Sequence, residues 1–124
     1  MRLGVTGGRD YTDEKCVASL MSKALARYGK DLVVVHGAAR GLDTLVDQWC
    51  KRNKVAVEPH PALWDLHGKS AGILRNQEMV ASGLDALLSF PGGRGTADMT
   101  QRCVNAGIPV GAPVWEIRWW SNAK

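Results

Sequence analysis

The stretch that decides the fold is Pro91-Gly92-Gly93-Arg94-Gly95-Thr96. It follows the apolar run at residues 86–90 and opens a segment of helical periodicity, so it marks a turn from a strand into a helix. Glycines let the backbone approach an anion without an intervening Cβ, and the start of a helix directs unpaired N–H groups toward that anion. The stretch therefore predicts a phosphate-binding turn, whereas a lone Gly-Gly pair would indicate only a tight turn.

Length and composition indicate one globular domain over residues 1–124. The chain is 45% hydrophobic and 23% charged, which is ordinary for such a domain. Its net charge of +4 favours anionic ligands but is too small to indicate nucleic acid by itself. No apolar run approaches the roughly 20 residues that cross a bilayer, so we expect a soluble, cytoplasmic protein with no membrane partner.

Cysteine and histidine spacing argues against disulfides and metal sites. Cys16, Cys50 and Cys103 are odd in number and widely spaced, which fits neither a disulfide framework nor a zinc site. We expect all three to be reduced thiols that pack within helices. His60 and His67 lack cysteine or carboxylate companions at ligand spacing. The sequence thus predicts no metal and no cofactor.

Apolar periodicity alternates between strands and helices along the chain. Short apolar runs predict strands at residues 3–6, 32–35, 55–57 and 86–90, with a last strand region from 109. Helical faces predict helices from an N-cap at Thr12 to Gly29, over 42–50, over 70–82 with Ser70 as a candidate cap, and from 95 to Gly107. The connection over residues 59–69 is long enough to predict a functional loop.

Strands that alternate with helices predict an α/β fold with a doubly wound, mostly parallel sheet of about five strands flanked by helices. Ligands bind such sheets beyond the carboxyl ends of the strands. Glycine-rich, basic connections follow three of the predicted strands, so we expect arginines to gather at this edge, where guanidinium groups bind phosphate. These arginines are Arg9, Arg40, Arg75 and Arg94. Asp10 and Asp43 either neutralise this charge or contact a ribose hydroxyl.

The C-terminal residues predict self-association. Trp115, Ile117 and Trp119 alternate with charged residues, as in an edge strand, and Trp120 follows them. This apolar area exceeds what one edge of a small domain covers, so we expect a homodimer or larger homo-oligomer.

Four motifs in order resemble the SLOG superfamily of Rossmann-like proteins, and its YspA-like group in particular. They are Gly7-Gly8-Arg9, residues 36–43, residues 71–76 with Met79, and residues 91–96. The resemblance covers nearly the whole chain and implies a nucleotide or nucleotide-derived ligand, such as a nucleoside monophosphate or an ADP-ribose-like molecule. The ligand-binding residues predicted from the motifs are Gly7, Gly8, Arg9, His36, Gly37, Ala38, Arg40, Asp43, Arg75, Asn76, Pro91, Gly92, Gly93, Arg94, Gly95 and Thr96.

LONELY GUY phosphoribohydrolases, which hydrolyse the N-glycosidic bond of nucleoside monophosphates, are similar at Arg75, Met79 and residues 91–96. Met99 stands at the position of their glutamate, so the resemblance leaves enzymatic activity open. Asp98 is expected to point about 100° away from Met99. Glu78 lies three residues after Arg75, so the candidate catalytic residues are Arg75 and Glu78, unless the two simply form a pair.

A further alternative is a single-stranded DNA-binding module. Residues 36–43 and the pair Arg75-Asn76 resemble elements of the DNA-processing protein that loads recombinase on single strands. Such binding needs a basic groove and aromatic platforms on which bases stack. Trp64 is a candidate platform, lid or core residue, and Lys69 is a candidate groove residue.

Overall fold

A parallel sheet forms the centre of the protein. The computed structural model describes residues 1–112. The strands are β1 Arg2–Thr6, β2 Val33–His36, β3 Ala56–Pro59, β4 Ala86–Ser89 and β5 Val110–Gly111. The helices are α1 Glu14–Tyr28, α2 Leu42–Arg52, α3 Trp64–His67, α4 Ala71–Ala81 and α5 Arg94–Asn105. The strand order β3-β2-β1-β4-β5, with every described pair parallel, confirms the predicted Rossmann-like α/β architecture.

The strand order reverses at β1. The chain runs from β1 through β2 to β3 at one edge, then returns to β4 on the other side of β1. Thr6 at the end of β1 is in register with Ser89 at the end of β4, so the loops that follow these two strands lie side by side. Ligand crevices of doubly wound sheets open at such a point.

Two apolar layers cover the sheet, because successive side chains of a strand point to opposite faces. The face beneath α1 and α2 buries Leu3, Val5, Val17, Met21, Val34, Leu42, Val46 and Leu88. The other face, beneath α4 and α5, buries Val35, Met79, Leu84, Leu87, Met99 and Cys103. Met99 is wholly buried, so its side chain belongs to the core.

The N-cap of helix α1 lies one residue later than predicted. The carboxylate of Asp13 accepts the backbone N–H of Cys16 at 3.0 Å, so Asp13 is the N-cap and the assignment to Thr12 was wrong. An N-cap side chain has to reach a free N–H two or three residues along, and Asp13 is placed to do so. Gly29 ends the helix at a φ of +62°, which glycine adopts without strain.

The predicted loop over residues 59–69 contains its own helical structure. Trp64–His67 form the one-turn helix α3, and residues 68–70 form a 3-10 turn that leads into α4. Four residues are too few to show helical periodicity in a sequence. Ser70 makes no capping hydrogen bond, because the preceding turn already brings the chain into α4 in helical conformation.

The described cysteines are free thiols, with Cys50 and Cys103 buried and Cys16 partly exposed. Burial raises the pKa of Cys103 to about 11, which keeps it an unreactive thiol. Residues 113–124 lie outside the described residues, and with them the predicted edge strand and the Trp115, Ile117, Trp119 and Trp120 surface. Among the helices over residues 1–112, none is long and apolar enough to span a bilayer.

Candidate functional site

A cleft of about 860 Å³ opens where the carboxyl ends of β1 and β4 meet. This volume lies within the range of small-molecule sites. Its walls come from the loops after β1, β2 and β4 and from the start of α4. The predicted ligand-binding residues that line it are Gly7, Gly8, Arg9, Gly37, Asp43, Arg75, Asn76, Pro91, Gly92, Gly93, Arg94, Gly95 and Thr96.

The two glycine loops touch at the floor of the cleft. The N–H of Gly8 donates to the carbonyl of Pro91 at 2.9 Å. A Cβ at Gly92 would lie 2.7 Å from the nitrogen of Gly8, and one at Gly8 would lie 3.1 Å from the Cα of Gly92. The close approach of the two backbones therefore requires glycine at Gly92, and it holds the β1 and β4 loops together.

Helix α5 begins in the cleft with its first N–H groups uncapped. Gly93 is the N-cap residue and has no side chain with which to cap them. The first N–H groups of a helix have no partner within it and carry the positive end of its dipole. A Cβ at Gly93 or Gly95 would meet no atom within 4 Å, so open space lies beside this backbone. Arg94 is exposed beside it. This arrangement suits a phosphate.

Arg75 forms one wall of the cleft and is held at both ends of its guanidinium. Its Nη1 donates to the carbonyl of Gly37, and its Nε donates to the Asn76 side-chain oxygen at 2.9 Å. A Cβ at Gly37 would lie 2.8 Å from the Arg75 Cζ, so a side chain there would displace this guanidinium. Burial lowers the pKa of Arg75, the Asp43 carboxylate opposes this shift, and nearby Arg9 adds to it. Arginine nevertheless stays charged.

Asp43 supplies a buried acceptor in the same cleft. Its Oδ2 accepts the N–H groups of Gly37 at 3.1 Å and Ala39 at 3.2 Å, which fixes the loop after β2. Its Oδ1 is buried and has no hydrogen-bond partner among the described residues. Burial raises the pKa of Asp43, and the loop N–H groups together with His36 and Arg75 offset part of that rise. An unpaired buried acceptor is costly, so this oxygen suits a ligand hydroxyl.

Asn76 and Asp98 join α4 to α5. The Asn76 amide nitrogen donates to the Gly95 carbonyl at 3.2 Å and to Asp98 Oδ2 at 3.0 Å. Asp98 also accepts from Arg102 Nε at 2.8 Å. Burial raises the pKa of Asp98, but the hydrogen bonds from Arg102 and Asn76 outweigh it and hold that pKa below its usual value. Asp98 is thus an ionised carboxylate at the cleft wall, and the Arg102 guanidinium balances its charge.

Asp98 lines the cleft, whereas Met99 lies in the core. The two side chains point apart as expected. The resemblance to the hydrolases would place position 99 at the site, however, and that expectation is wrong, because Asp98 lines the cleft and Met99 does not. A sequence signal for this arrangement exists. Met99 is apolar and lies four residues before Cys103, so both residues share the apolar face of the helix, and Asp98 then falls on the side of the site.

Trp64 and Arg9 stand at the mouth of the cleft. The Arg9 guanidinium lies over the indole of Trp64, with its carbon 5.4 Å from the ring centroid. Trp64 is 48% exposed, so it is not a core residue. Arg9, Lys69, Arg75 and Arg94 give the lining four cationic side chains against the carboxylates of Asp10, Asp43 and Asp98.

Four predicted site residues lie outside this cleft. His36 Nδ1 accepts the N–H of Ala38 at 2.9 Å, so its Nε2 carries the proton and donates to Asp47 at 2.8 Å. His36 therefore ties β2 to α2 instead of facing the cleft. Ala38 and Arg40 line a neighbouring smaller cavity.

Glu78 is the fourth of these residues. Its carboxylate contacts His60 Nδ1 at 2.7 Å, its side chain is 68% exposed, and it makes no pair with Arg75. We therefore do not assign Glu78 to the site. Lining residues absent from the predicted ligand-binding set include Tyr11 and Asp98, which fall outside the four motifs, and Ile73, an apolar residue within the third motif. Among residues 1–112, no cluster of histidine, cysteine and carboxylate side chains could hold a metal ion.

Comparison with known proteins identifies the family. A family model described as the YspA, cpYpsA-related SLOG family matches residues 1–67. The Gene 61 protein of Mycobacterium phage D29 is 43% identical over 116 residues, which cover 88% of this chain and 93% of that protein. The chain belongs to this SLOG family. The resemblance seen in the motifs is thereby confirmed.

The SLOG chain also shares its fold with a solved structure. DNA processing protein A (DprA) from Streptococcus pneumoniae is similar with a TM-score of 0.71 and 18% sequence identity. The match covers 90% of this chain and 49% of the DprA chain, so the SLOG chain spans about half of DprA. At this identity the likeness concerns the fold alone.

Proposed function

We propose that this SLOG protein binds a nucleotide or nucleotide-derived ligand, such as a nucleoside monophosphate or an ADP-ribose-like molecule. The ligand phosphate lies against the uncapped N–H groups at the start of α5, with Arg94 beside it. A sugar hydroxyl donates to the free oxygen of Asp43. The base takes the apolar side of the cleft toward Ile73 and Trp64.

The observation that carries this proposal is that Asp43, whose buried Oδ1 has no partner among the described residues, lines the same cleft as the α5 N-terminus. A plain phosphate site needs donors only, and an unpaired buried carboxylate oxygen would weaken it by repulsion. A ligand that bears both a phosphate and a hydroxyl donor satisfies both groups. Sugar phosphates, and nucleotides among them, have this combination. The cleft volume and its apolar side favour a nucleotide over a bare sugar phosphate.

A thermal-shift panel tests the proposal. The panel contains the common nucleoside 5′-monophosphates, ADP-ribose, the corresponding nucleosides and inorganic phosphate. A bound nucleotide at about 100 times its dissociation constant stabilises the fold by roughly 2.7 kcal/mol. Arg94→Gln weakens nucleotide binding by roughly threefold to tenfold, because an exposed charge-assisted hydrogen bond is lost. Arg52→Gln, at the exposed end of α2, is the matched control and changes nothing. Absence of stabilisation by every phosphate-bearing compound contradicts the proposal.

Single-strand DNA binding is a second candidate, and the exposed Trp64 favours it. A half-exposed indole beneath a guanidinium at the mouth of a cationic cleft is the type of platform on which a base stacks. Loss of one stacking contact costs about 1–3 kcal/mol per base. Binding of a labelled oligothymidylate that weakens with salt and with Trp64→Ala, without any nucleotide response, would favour this candidate over nucleotide binding.

A further inference from the structure

A second cavity of about 290 Å³ adjoins the main cleft. The two cavities share the wall residues Arg9, Gly37, Ala39, Trp64 and Arg75. The smaller cavity adds Ala38, Arg40, Pro61 and Ala62. The proposed nucleotide site at the start of α5 does not use this space.

The smaller cavity is lined by cationic side chains without acidic ones. Arg9, Arg40 and Arg75 contribute guanidinium groups, and none of its described lining residues is an aspartate or glutamate. Within residues 1–112, neither Arg9 nor Arg40 forms an ion pair. Three guanidinium groups around one concavity favour an anion: Arg9 and Arg40 can each donate two parallel hydrogen bonds to phosphate oxygens, and Arg75, whose Nη1 and Nε already donate within the protein, adds its positive charge.

Asp43 lies beside the wall that the two cavities share. Its carboxylate holds the N–H groups of Gly37 and Ala39, and these two residues line both cavities. The start of α5, in contrast, lines only the main cleft. A sugar that donates a hydroxyl to Asp43 therefore lies close to the shared wall, with the start of α5 in its own cavity and the three arginines in the adjoining one.

We propose, building on the nucleotide site above, that the smaller cavity is a second phosphate subsite. The ligand class is then a free nucleotide whose two phosphate groups are separated by its sugar, as in a nucleoside 3′,5′-bisphosphate. One phosphate lies at the start of α5 and the other among Arg9, Arg40 and Arg75.

The rim of the site favours a free nucleotide over a nucleic acid strand. Large apolar side chains are exposed on α3, α4 and the segment before α3, with Leu63 52%, Leu66 72%, Ile73 46% and Leu74 38% exposed. Successive phosphates of a strand need cationic partners beyond the two cavities. This rim offers apolar surface in that direction.

Isothermal titration at constant ionic strength tests the inference. The probes are the 5′-monophosphates and 3′,5′-bisphosphates of adenosine, guanosine, cytidine and uridine. For the base that binds best, the bisphosphate binds at least about tenfold more tightly than the monophosphate. Arg40→Gln removes most of that advantage and leaves monophosphate affinity within about twofold, since Arg40 lines only the smaller cavity. Arg52→Gln, which also removes one exposed positive charge, leaves both affinities unchanged.

The outcomes separate this inference from the proposed function. Equal affinity for monophosphate and bisphosphate overturns the second subsite and leaves the nucleotide site standing. Equal weakening of both ligands by Arg40→Gln overturns it as well, because Arg40 then acts only through general charge. Failure of every probe to bind overturns both proposals. An oligothymidylate that binds more than tenfold tighter than any bisphosphate, and loses affinity in Arg40→Gln, overturns the free-nucleotide assignment in favour of a strand.

Discussion

The two carboxylate oxygens of Asp43 have different roles, one in the fold and one in the proposed binding of a ligand. One carboxylate oxygen holds the loop after β2 through two N–H groups, and the other is buried without a partner in the described part of the chain. The first oxygen accounts for an acidic residue at the start of α2. The second makes no hydrogen bond within residues 1–112, and the proposed function gives it a ligand hydroxyl as its partner. The sequence marked Asp43 as a site residue, but whether it neutralises charge or meets a hydroxyl depends on burial, which no local pattern reveals.

Asp43→Asn tests the free oxygen. Its amide oxygen can still accept the N–H groups of Gly37 and Ala39, while its NH₂ group replaces the free acceptor with a donor. We expect nucleotide affinity to fall about tenfold or more, because a ligand hydroxyl and the amide then present donors to each other. Titration of nucleotide into wild type and variant measures this. Unchanged affinity would remove Asp43 from the site.

The same substitution has a pH-dependent effect on stability. The pKa of Asp43 is raised in the folded protein, so the folded state holds this proton more firmly than the unfolded chain. The protonated Asp43 side chain therefore adds to the free energy of unfolding below the ordinary pKa of 3.8. This contribution is lost as pH rises through the raised pKa of the folded protein. Asn does not titrate, so Asp43→Asn gains free energy of unfolding relative to wild type as pH rises from about 4 to 7. Urea unfolding of the ligand-free proteins at both pH values checks this, and a pH-independent difference would contradict it.

Gly92 and Gly93 are neighbours, but a side chain would have a different effect at each position. A Cβ at Gly92 meets the backbone nitrogen of Gly8 at 2.7 Å, so Gly92→Ala lowers the free energy of unfolding by about 1–3 kcal/mol. A Cβ at Gly93 meets no atom within 4 Å, so Gly93→Ala loses only the small difference between Gly and Ala as an N-cap, roughly 0.5 kcal/mol, and mainly reduces nucleotide affinity by occupying cleft space. Urea unfolding and ligand titration of both variants separate the two roles. Equal stability of the two variants would show that the glycine loops do not depend on close contact.

At the scale of elements, the sequence predicts most strands and helices because their apolar patterns are long and regular. It predicts α5 from the PGGRGT turn, yet not which residue of its second turn faces the ligand. That depends on the rotation of α5 against α4, which the Asn76 hydrogen bonds to Gly95 and Asp98 set. The short α3 escaped prediction because its four residues are stabilised by the surrounding loop and not by an amphipathic stripe.

The pairing of Arg2 with Glu58 connects β1 and β3 across the intervening β2. The guanidinium binds both carboxylate oxygens at 2.9 and 2.7 Å, and His60 Nε2 contacts the carboxylate at 2.7 Å. These contacts lower the pKa of Glu58 to about 2, with Arg2 the larger cause. A carboxylate with a lowered pKa stabilises the fold above its ordinary pKa of 4.5 and loses that contribution as pH falls toward 2.

Glu58→Gln therefore makes stability less sensitive to acid. We expect a loss of under about 1 kcal/mol at pH 7, because the side chain is 38% exposed and solvent screens the pair. Between pH 4.5 and 2, the variant loses less free energy of unfolding than wild type does. Urea titrations across this range test the expectation, with Asp65→Asn as an exposed control. Parallel curves for Glu58→Gln and wild type would contradict it.

At the scale of the whole molecule, the site is a product of strand order. The sequence predicts that glycine-rich loops share the carboxyl edge of a parallel sheet, but not that β1 lies between β2 and β4. That order arises from the directions of the crossover connections, which no single segment encodes. It brings Gly8 against Pro91 and Gly92, and with them Asp43 to the same cleft as the start of α5. Strand order does not by itself decide which side chains enter the cleft. His36 and Glu78 lie beside the motifs but contact Asp47 and His60 instead.

Hydrolysis of a bound nucleotide would depend on the carboxylates of the cleft. The carboxylates that line the cleft are Asp10, Asp43 and Asp98. Asp98 is next to Met99, which stands where the similar hydrolases have their glutamate. Its pKa is held below the usual value by Arg102 and Asn76 despite burial, so it is a weak proton acceptor at pH 7, whereas effective general bases have a pKa near the working pH. Asp43, whose pKa burial raises, is engaged by the N–H groups of Gly37 and Ala39 and, in the proposed function, by the sugar hydroxyl. We therefore expect release of free base from bound nucleoside monophosphates to stay at background, since the missing assistance is a factor of about 100 to 10,000. Chromatography of free base with wild type, Asp98→Asn and Glu78→Gln measures this. Turnover by wild type that disappears in Asp98→Asn but persists in Glu78→Gln would show that the protein is a hydrolase and that Asp98, despite its pairing with Arg102, takes the role of the absent glutamate.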